Sequence, residues 1–276
     1  MGLPTRRFAG LALGALLLAL PAPAAAAEQA PPSCAAQRIS SEGRSIPFDA
    51  GEHADYQVRL GGVPVGSGSM RILGLADVEG NPTYHARLQV SGGIPLARVD
   101  DKFETWIDTC GLFSRRFKQD QKEVRFRRNR TYQFFPERRA FRRLDNGETG
   151  TLPTDRPLDE VSFLYYARTL PLKVGETYEL HRYFKDDGNP VLLRVLRRET
   201  VRVPAGTFNT VVVRPIIKTR GLFAEGGEAE VYFTDDERRI PVLLRSKVPV
   251  VGHLTLHLRS YRAGETRLAD STPDSL

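Results

Sequence analysis

Alternation of apolar and polar positions dominates the chain. Ala54, Tyr56, Val58 and Leu60 alternate with Asp55, Gln57 and Arg59, and Tyr84, Ala86, Leu88 and Val90 alternate with His85, Arg87 and Gln89. Further along, Ala229, Val231 and Phe233 alternate with Glu228, Glu230 and Tyr232, and Leu254, Leu256 and Leu258 with His253, Thr255 and His257. A period of two sends one set of side chains to a core and the other to water, as in antiparallel strands with one covered face. Gly61-Gly62, Gly80-Asn81-Pro82, Asp145-Asn146-Gly147 and Asp187-Gly188-Asn189 fall between such runs and read as turns. Gly66-Ser67-Gly68 reads as a bulge at a strand entry.

One stretch breaks the alternation. Between Asp155 and Leu170 the spacing predicts a helix over 156–169, with Asp155 as cap, Pro157 and two acids in the first turn and Pro171 as stop. Val161, Leu164 and Tyr165 share a face, so the helix is expected to pack on a sheet. No second helix, linker or repeat stands out between 46 and 262. The fold class is mainly β, a single large curled antiparallel sheet (half-open barrel or sandwich) with one α-helix packed on it. Residues 28–45, rich in Ala, Pro, Gln and Ser, read as a flexible N-terminal arm. A single β-rich domain covers 46–262, and 263–276 is a disordered polar tail.

Composition narrows the setting. The chain has 276 residues, 41% hydrophobic and 26% charged, which excludes a disordered protein. Arg6 and Arg7 precede the apolar run Leu11 to Leu20, and Ala25 and Ala27 follow at cleavage spacing. Residues 1–27 therefore read as a cleaved signal peptide, too short for a membrane span, and the mature chain is expected in the periplasm with no transmembrane segment. Thr5-Arg6-Arg7-Phe8 also suits a twin-arginine signal. Cys34 and Cys110 are the two cysteines, and a disulfide between them is expected in that compartment. A lipid anchor at Cys34 competes with it, against Pro31-Pro32-Ser33 and the distance from the apolar run.

Catalytic motifs are missing from the sequence: it has no Gly-x-Ser-x-Gly, His-Glu-x-x-His, phosphate loop or Cys-x-x-Cys. His253 and His257 share a strand face but stand about 13 Å apart, too far for one metal. Asp235-Asp236-Glu237 reads as a hairpin connection ahead of Ile240-Pro241-Val242. Glu104 and Asp108 flank Trp106 on one face without a placed acid–base partner. No cofactor, metal or enzymatic activity is expected.

Charge supplies the one strong anomaly. The formal net charge is +7, falling to +5 once Arg6 and Arg7 leave with the signal peptide, yet residues 115–143 hold twelve cations against three acids. Phe117, Phe126, Tyr132, Phe134, Phe135 and Phe141 interleave with them. Three readings compete: Arg-rich wet strand faces, a site for an anionic partner, and nucleic acid, which an exported protein rarely meets. No nucleic-acid partner is expected.

Several blocks carry a family resemblance. Ile46-Pro47-Phe48 with Gly51-Glu52 leads into the Tyr56 strand, and Asp159-Glu160-Val161-Ser162-Phe163-Leu164-Tyr165-Tyr166-Ala167-Arg168 precedes Leu172 and Gly175. Val203-Pro204-Ala205-Gly206-Thr207-Phe208 opens a strand, and Thr234 to Val242 closes a hairpin. Their order and spacing resemble the bacterial family of exported proteins catalogued as domain of unknown function 3108, over roughly residues 46 to 260. The resemblance implies an exported, β-rich, single-domain envelope protein of a Gram-negative bacterium, and it carries over no catalytic or binding residues. A curled sheet with a helix on its open face is also similar to the half-barrel of periplasmic lipoprotein carriers, where part of the apolar face lines a cavity.

The expected function is a non-enzymatic periplasmic carrier for an anionic amphiphilic envelope component, a lipid or lipopolysaccharide. Arg115, Arg116, Arg125 and Arg127 would hold its head group, and the helix, with Phe163, Tyr165 and Tyr166, would serve as lid or wall. The alternative is a protein-interaction adaptor in an envelope assembly, and a third reading is a glycan or lipid hydrolase. A cavity inside the sheet discriminates the first two.

Overall fold

A computed structural model describes residues 34–94, 97–123, 126–217, 229–248 and 252–265. The expected signal peptide, the first residues of the arm and the tail from 266 lie outside the described residues. Fourteen strands form one antiparallel sheet that does not close. Eight precede the main helix: β1 (His53–Leu60), β2 (Val63–Val78), β3 (Asn81–Ile94), β4 (Ala97–Asp108), β5 (Ser114–Glu123), β6 (Phe126–Phe135), β7 (Ala140–Arg143) and β8 (Thr149–Thr151). Six follow it: β9 (Thr177–Leu180), β10 (Val191–Val203), β11 (Gly206–Ile216), β12 (Glu230–Thr234), β13 (Pro241–Val248) and β14 (Gly252–Arg262).

The topology is a meander with its first and last strands joined. Each strand pairs with its neighbour in sequence, except that β8 and β9 do not pair while β1 pairs with β14. The two free edges are therefore consecutive in the chain, and the segment between them carries the helix α2 (Glu160–Ala167). The β1–β2 connection is the tight turn Gly61-Gly62, both at positive φ, which the twist of a two-residue hairpin requires. At the next bend the backbones of β2 and β3 touch: a Cβ on Gly66 would lie 2.6 Å from the Gly92 Cα. Val65 is the extra residue there, where Val58 pairs with Gly66 and Arg59 with Pro64, so a bulge lies one residue ahead of Gly66-Ser67-Gly68, which pair regularly.

The helix differs from expectation in its extent. It spans 160–167 rather than 156–169, because Asp159, not Asp155, is its cap. The Asp159 carboxylate accepts from the Val161 and Ser162 amides, and the Ser162 hydroxyl accepts from the Asp159 amide, a reciprocal box. Residues 155–158 serve the sheet instead: Pro157 O accepts from Ser114 N, and Leu158 bridges Tyr183 in parallel. The helix ends at Ala167 ahead of Pro171, with Arg168 as its C-cap. It packs on the sheet as expected, against β3 and β4, and all eight of its residues are buried.

Aromatic rings knit this interior. Phe48 meets Tyr165 of α2 at 4.9 Å and Tyr84 of β3 at 5.5 Å, both edge-on. Phe184 fills the far side, 5.8, 5.2 and 5.5 Å from Phe117, Tyr132 and Phe134. Within the stretch expected to be an arm, a short helix α1 (Cys34–Gln37) forms and Ile39 bridges Ser45. Cys34 is disulfide-bonded to Cys110, with their Cα atoms 5.1 Å apart. The closed disulfide is the state that an extracellular or periplasmic setting favours. No helix among the described residues is long and apolar enough to cross a membrane.

Candidate functional site

The basic run does not make one surface. On β5, Phe117 and Gln119 are buried on the side facing α2, and Arg116, Lys118 and Lys122 alternate to the outer side. Arg115 is buried: its Nε donates to Asp108 Oδ2 at 2.7 Å and its Nη1 to Glu137 Oε1 at 3.0 Å. Arg116 donates to Gln133 Oε1 at 2.7 Å and lies over Trp106, which stacks on His85 at 4.3 Å. Arg127 is exposed, in register with Lys122. Arg125 lies outside the described residues. Arg128 turns inward and donates to Gln121 Oε1 at 3.4 Å. Arg143 is taken by Asp145 and Glu148, each at 2.6 Å. The three described arginines of the four proposed for one head group, Arg115, Arg116 and Arg127, thus divide between a buried structural ion pair, an aromatic stack and an exposed strand face.

The helix aromatics are equally committed. Phe163, Tyr165 and Tyr166 are 2%, 0% and 4% exposed. The Tyr166 ring lies between two guanidinium groups, Arg44 at 4.8 Å and Arg182 at 4.3 Å, and its hydroxyl accepts from Arg44 Nη2 at 2.8 Å. Glu42 pairs with Arg44, Arg156 and Arg182, so residues 42–44 seal that end of the helix. Burial pushes the Glu160 carboxyl up, with Asp159 beside it adding to the shift. Its Oε1 accepts from the Tyr183 hydroxyl at 2.9 Å, and its Oε2 has no hydrogen-bond partner among the described residues.

Between the helix and the inner faces of β3, β4, β13 and β14 lies a cleft of about 80 Å³. Leu88, Val90, Phe103, Leu164, Leu254 and Leu256 line it, with Asp101 as an acid at its wall. Burial raises the pKa of Asp101 despite hydrogen bonds from Gln121 Nε2 and the Lys122 amide. Sites that enclose a drug-sized ligand measure about 300 Å³ or more. The cleft admits the end of a chain and no more.

The remaining sequence candidates find structural partners. Glu104 pairs with Arg87, and Asp108 with Arg115, so the two acids beside Trp106 are each neutralised and separated in role. Asp235 and Asp236 lie in the β12–β13 connection, bonded to Arg198, Arg239 and Thr234. Among the described residues no three His, Cys, Asp or Glu side chains gather as a metal site. On the outer face His253 and His257 flank Thr255, with Arg59 and Arg245 on either side. That juxtaposition joins β1, β13 and β14, whose registers no local pattern in the sequence reveals.

An open meander sheet enclosing one helix, fastened by a disulfide and buried ion pairs, defines a mainly β protein. The chain belongs to the family described as protein of unknown function DUF3108, whose profile matches residues 55–259. No curated protein matches it. Among solved structures, a hypothetical protein of Chlamydia trachomatis is 8% identical, with 86% of this chain and 98% of that one covered and a TM-score of 0.37. A protein of Bacteroides fragilis described with a YmcC-like fold is 9% identical, with 79% and 98% covered and a TM-score of 0.28.

Proposed function

We propose that this protein is a non-enzymatic adaptor of the Gram-negative envelope, exported to the periplasm, that recognises an acidic protein partner through the outside of its sheet. The observation that carries the reading is the occupied interior. Helix α2 is buried on every side, and the cleft beside it holds about 80 Å³. A whole acyl chain exceeds that volume, which supports recognition on the outer surface. Arg127, Arg138, Arg139 and Arg142 are exposed on the β6–β8 arm with no carboxylate within ion-pair distance among the described residues. Beside Arg139 and Arg142 β8 is a free edge with Thr149 and Thr151 exposed, which a partner strand can extend. Arg127→Glu combined with Arg138→Glu and Arg142→Glu should release a partner crosslinked to the wild type in its own envelope while leaving the unfolding midpoint unchanged. Retention of the same partner by the variant would remove this surface from the account.

A carrier for an anionic amphiphile, lipid or lipopolysaccharide, is the second reading. The apolar lining of the cleft favours it, as does Arg128, which reaches Asp101 through Gln121.

A further inference from the structure

On the outer face Thr255 of β14 is in register with Arg59 of β1 on one side and with Arg245 of β13 on the other. His253 and His257 stand two residues away along the same strand, and the leucines between them, Leu254 and Leu256, turn to the core. The five polar side chains form a cross with the smallest at its centre. With the Gly61-Gly62 turn they line a notch of about 360 Å³, and no carboxylate among the described residues lines it.

These two arginines differ from those around them. Arg87 is paired with Glu104, and Arg197 and Arg214 with Glu230. Arg59 donates instead to the neutral Gln57 Oε1 at 2.8 Å, and Arg245 lies 5.6 Å over the Tyr232 ring. Glu230 is the register partner of Arg245, but its oxygens are occupied by Arg197, Arg214 and the Tyr232 hydroxyl. Two half-buried guanidinium groups thus face one notch without a counter-ion among the described residues. His257 stands two residues along β14 from the Thr255 that separates them, its Nε2 2.9 Å from Thr255 Oγ1. Burial first, then Arg59 and Arg245, hold its pKa down.

We propose that this notch binds a phosphate group, either free inorganic phosphate or a phosphomonoester carried on a lipid headgroup. Opposed strands place the arginine Cβ atoms about 10 Å apart, so two forks of donors can reach one oxyanion from opposite sides. The imidazoles of His253 and His257 close the other two directions. Donors on four sides suit a tetrahedral anion better than a planar carboxylate. The bound anion cancels the positive field at His257, so that ring takes up a proton and becomes a further donor. The site lies on β1, β13 and β14, not on the β6–β8 arm of the proposed adaptor surface, so each stands or falls by itself.

The test is a histidine-resolved NMR titration of the whole mature protein with inorganic phosphate, against chloride at matched ionic strength. The apparent pKa of His257 should rise saturably with phosphate. Arg59→Gln and Arg245→Gln should each bind about tenfold more weakly, the effect of losing one charge-assisted hydrogen bond, while Arg127→Gln binds as wild type. Flotation with phosphatidylcholine vesicles, with and without phosphatidic acid, identifies the source. Capture that needs phosphatidic acid and fails in Arg245→Gln assigns a lipid headgroup, whereas phosphate binding without capture assigns the free anion. A His257 titration indifferent to phosphate in the wild type overturns the proposal, and so do Arg59→Gln and Arg245→Gln variants that bind like it.

Discussion

Arg168 and Glu52, 116 residues apart in the chain, form a two-pronged ion pair in the interior, Nη1 to Oε1 at 2.6 Å and Nη2 to Oε2 at 2.8 Å. Nη2 also donates to the carbonyls of Pro47 and Arg238, and the Tyr261 hydroxyl donates to Glu52 Oε2. One guanidinium therefore fastens the C-terminus of α2 to the entry of β1 and to the β12–β13 connection. Three of the sequence blocks that mark the family meet at this point, which gives them a structural role. The Arg168 and Glu52 side chains are 1% and 6% exposed, so a lone survivor would be a charge stranded without solvent. Arg168→Met should cost about 3–5 kcal/mol, and the double variant Glu52→Gln with Arg168→Met markedly less than the sum of the singles. Urea unfolding of the four proteins checks this, and strict additivity would contradict it.

Glu160 makes the opposite prediction. Its folded pKa is raised by burial, so the fold favours the protonated form. Stability should then rise as pH falls from above the folded pKa toward the unfolded value of about 4.3. Glu160→Gln keeps an acceptor for Tyr183 and removes the charge. It should be at least as stable as wild type at neutral pH, with the two curves converging in acid. A variant weaker than wild type at neutral pH would show that the carboxylate is held charged.

Glu230 should set the acid limb. Burial opposes its charge, but hydrogen bonds from Arg197, Tyr232 and Arg214 prevail and push its pKa down to about 2. A depressed folded pKa adds stability above the unfolded value, lost as pH falls from about 4.3 toward about 2. Glu230→Gln should show a shallower loss of stability over that window. Equal slopes for the two proteins would contradict the assignment.

The disulfide ties α1 to the β4–β5 turn across a separation of 76 residues. A loop of that length is worth about 4–5 kcal/mol in the chain-entropy account. Cys34→Ser with Cys110→Ser, or reduction, should lower the thermal midpoint by an amount consistent with it. An unchanged midpoint would mean that the hydrogen bond from Ser41 N to Cys110 O and its neighbours hold the segment without the covalent link.

Much of the fold was legible because period two survives on strands with one wet face, as in Tyr84 to Val90. The helix was legible in kind but not in extent. Pro157 and Asp155 mimic a first turn, whereas the reciprocal bonds of Asp159 and Ser162 win, and the run Val161 to Ala167 is apolar on all sides because it is enclosed. The candidate site was legible only as residue types. Alternation sends Arg115 and Arg116 to opposite faces of β5, so a cluster in sequence dissolves in space. Arg59, Arg245 and His257 are scattered in sequence and gathered by strand register, which depends on the whole meander.

The central claim is that recognition takes place outside an occupied interior. Native mass spectrometry of the protein, purified gently from the cells that make it, tests it most directly. The account predicts a protein partner retained, and a mass free of lipid once the outer notch is removed by Arg245→Gln. A reproducible adduct that fragments as a lipid or a lipid-linked sugar and persists in Arg245→Gln would contradict it and restore the carrier.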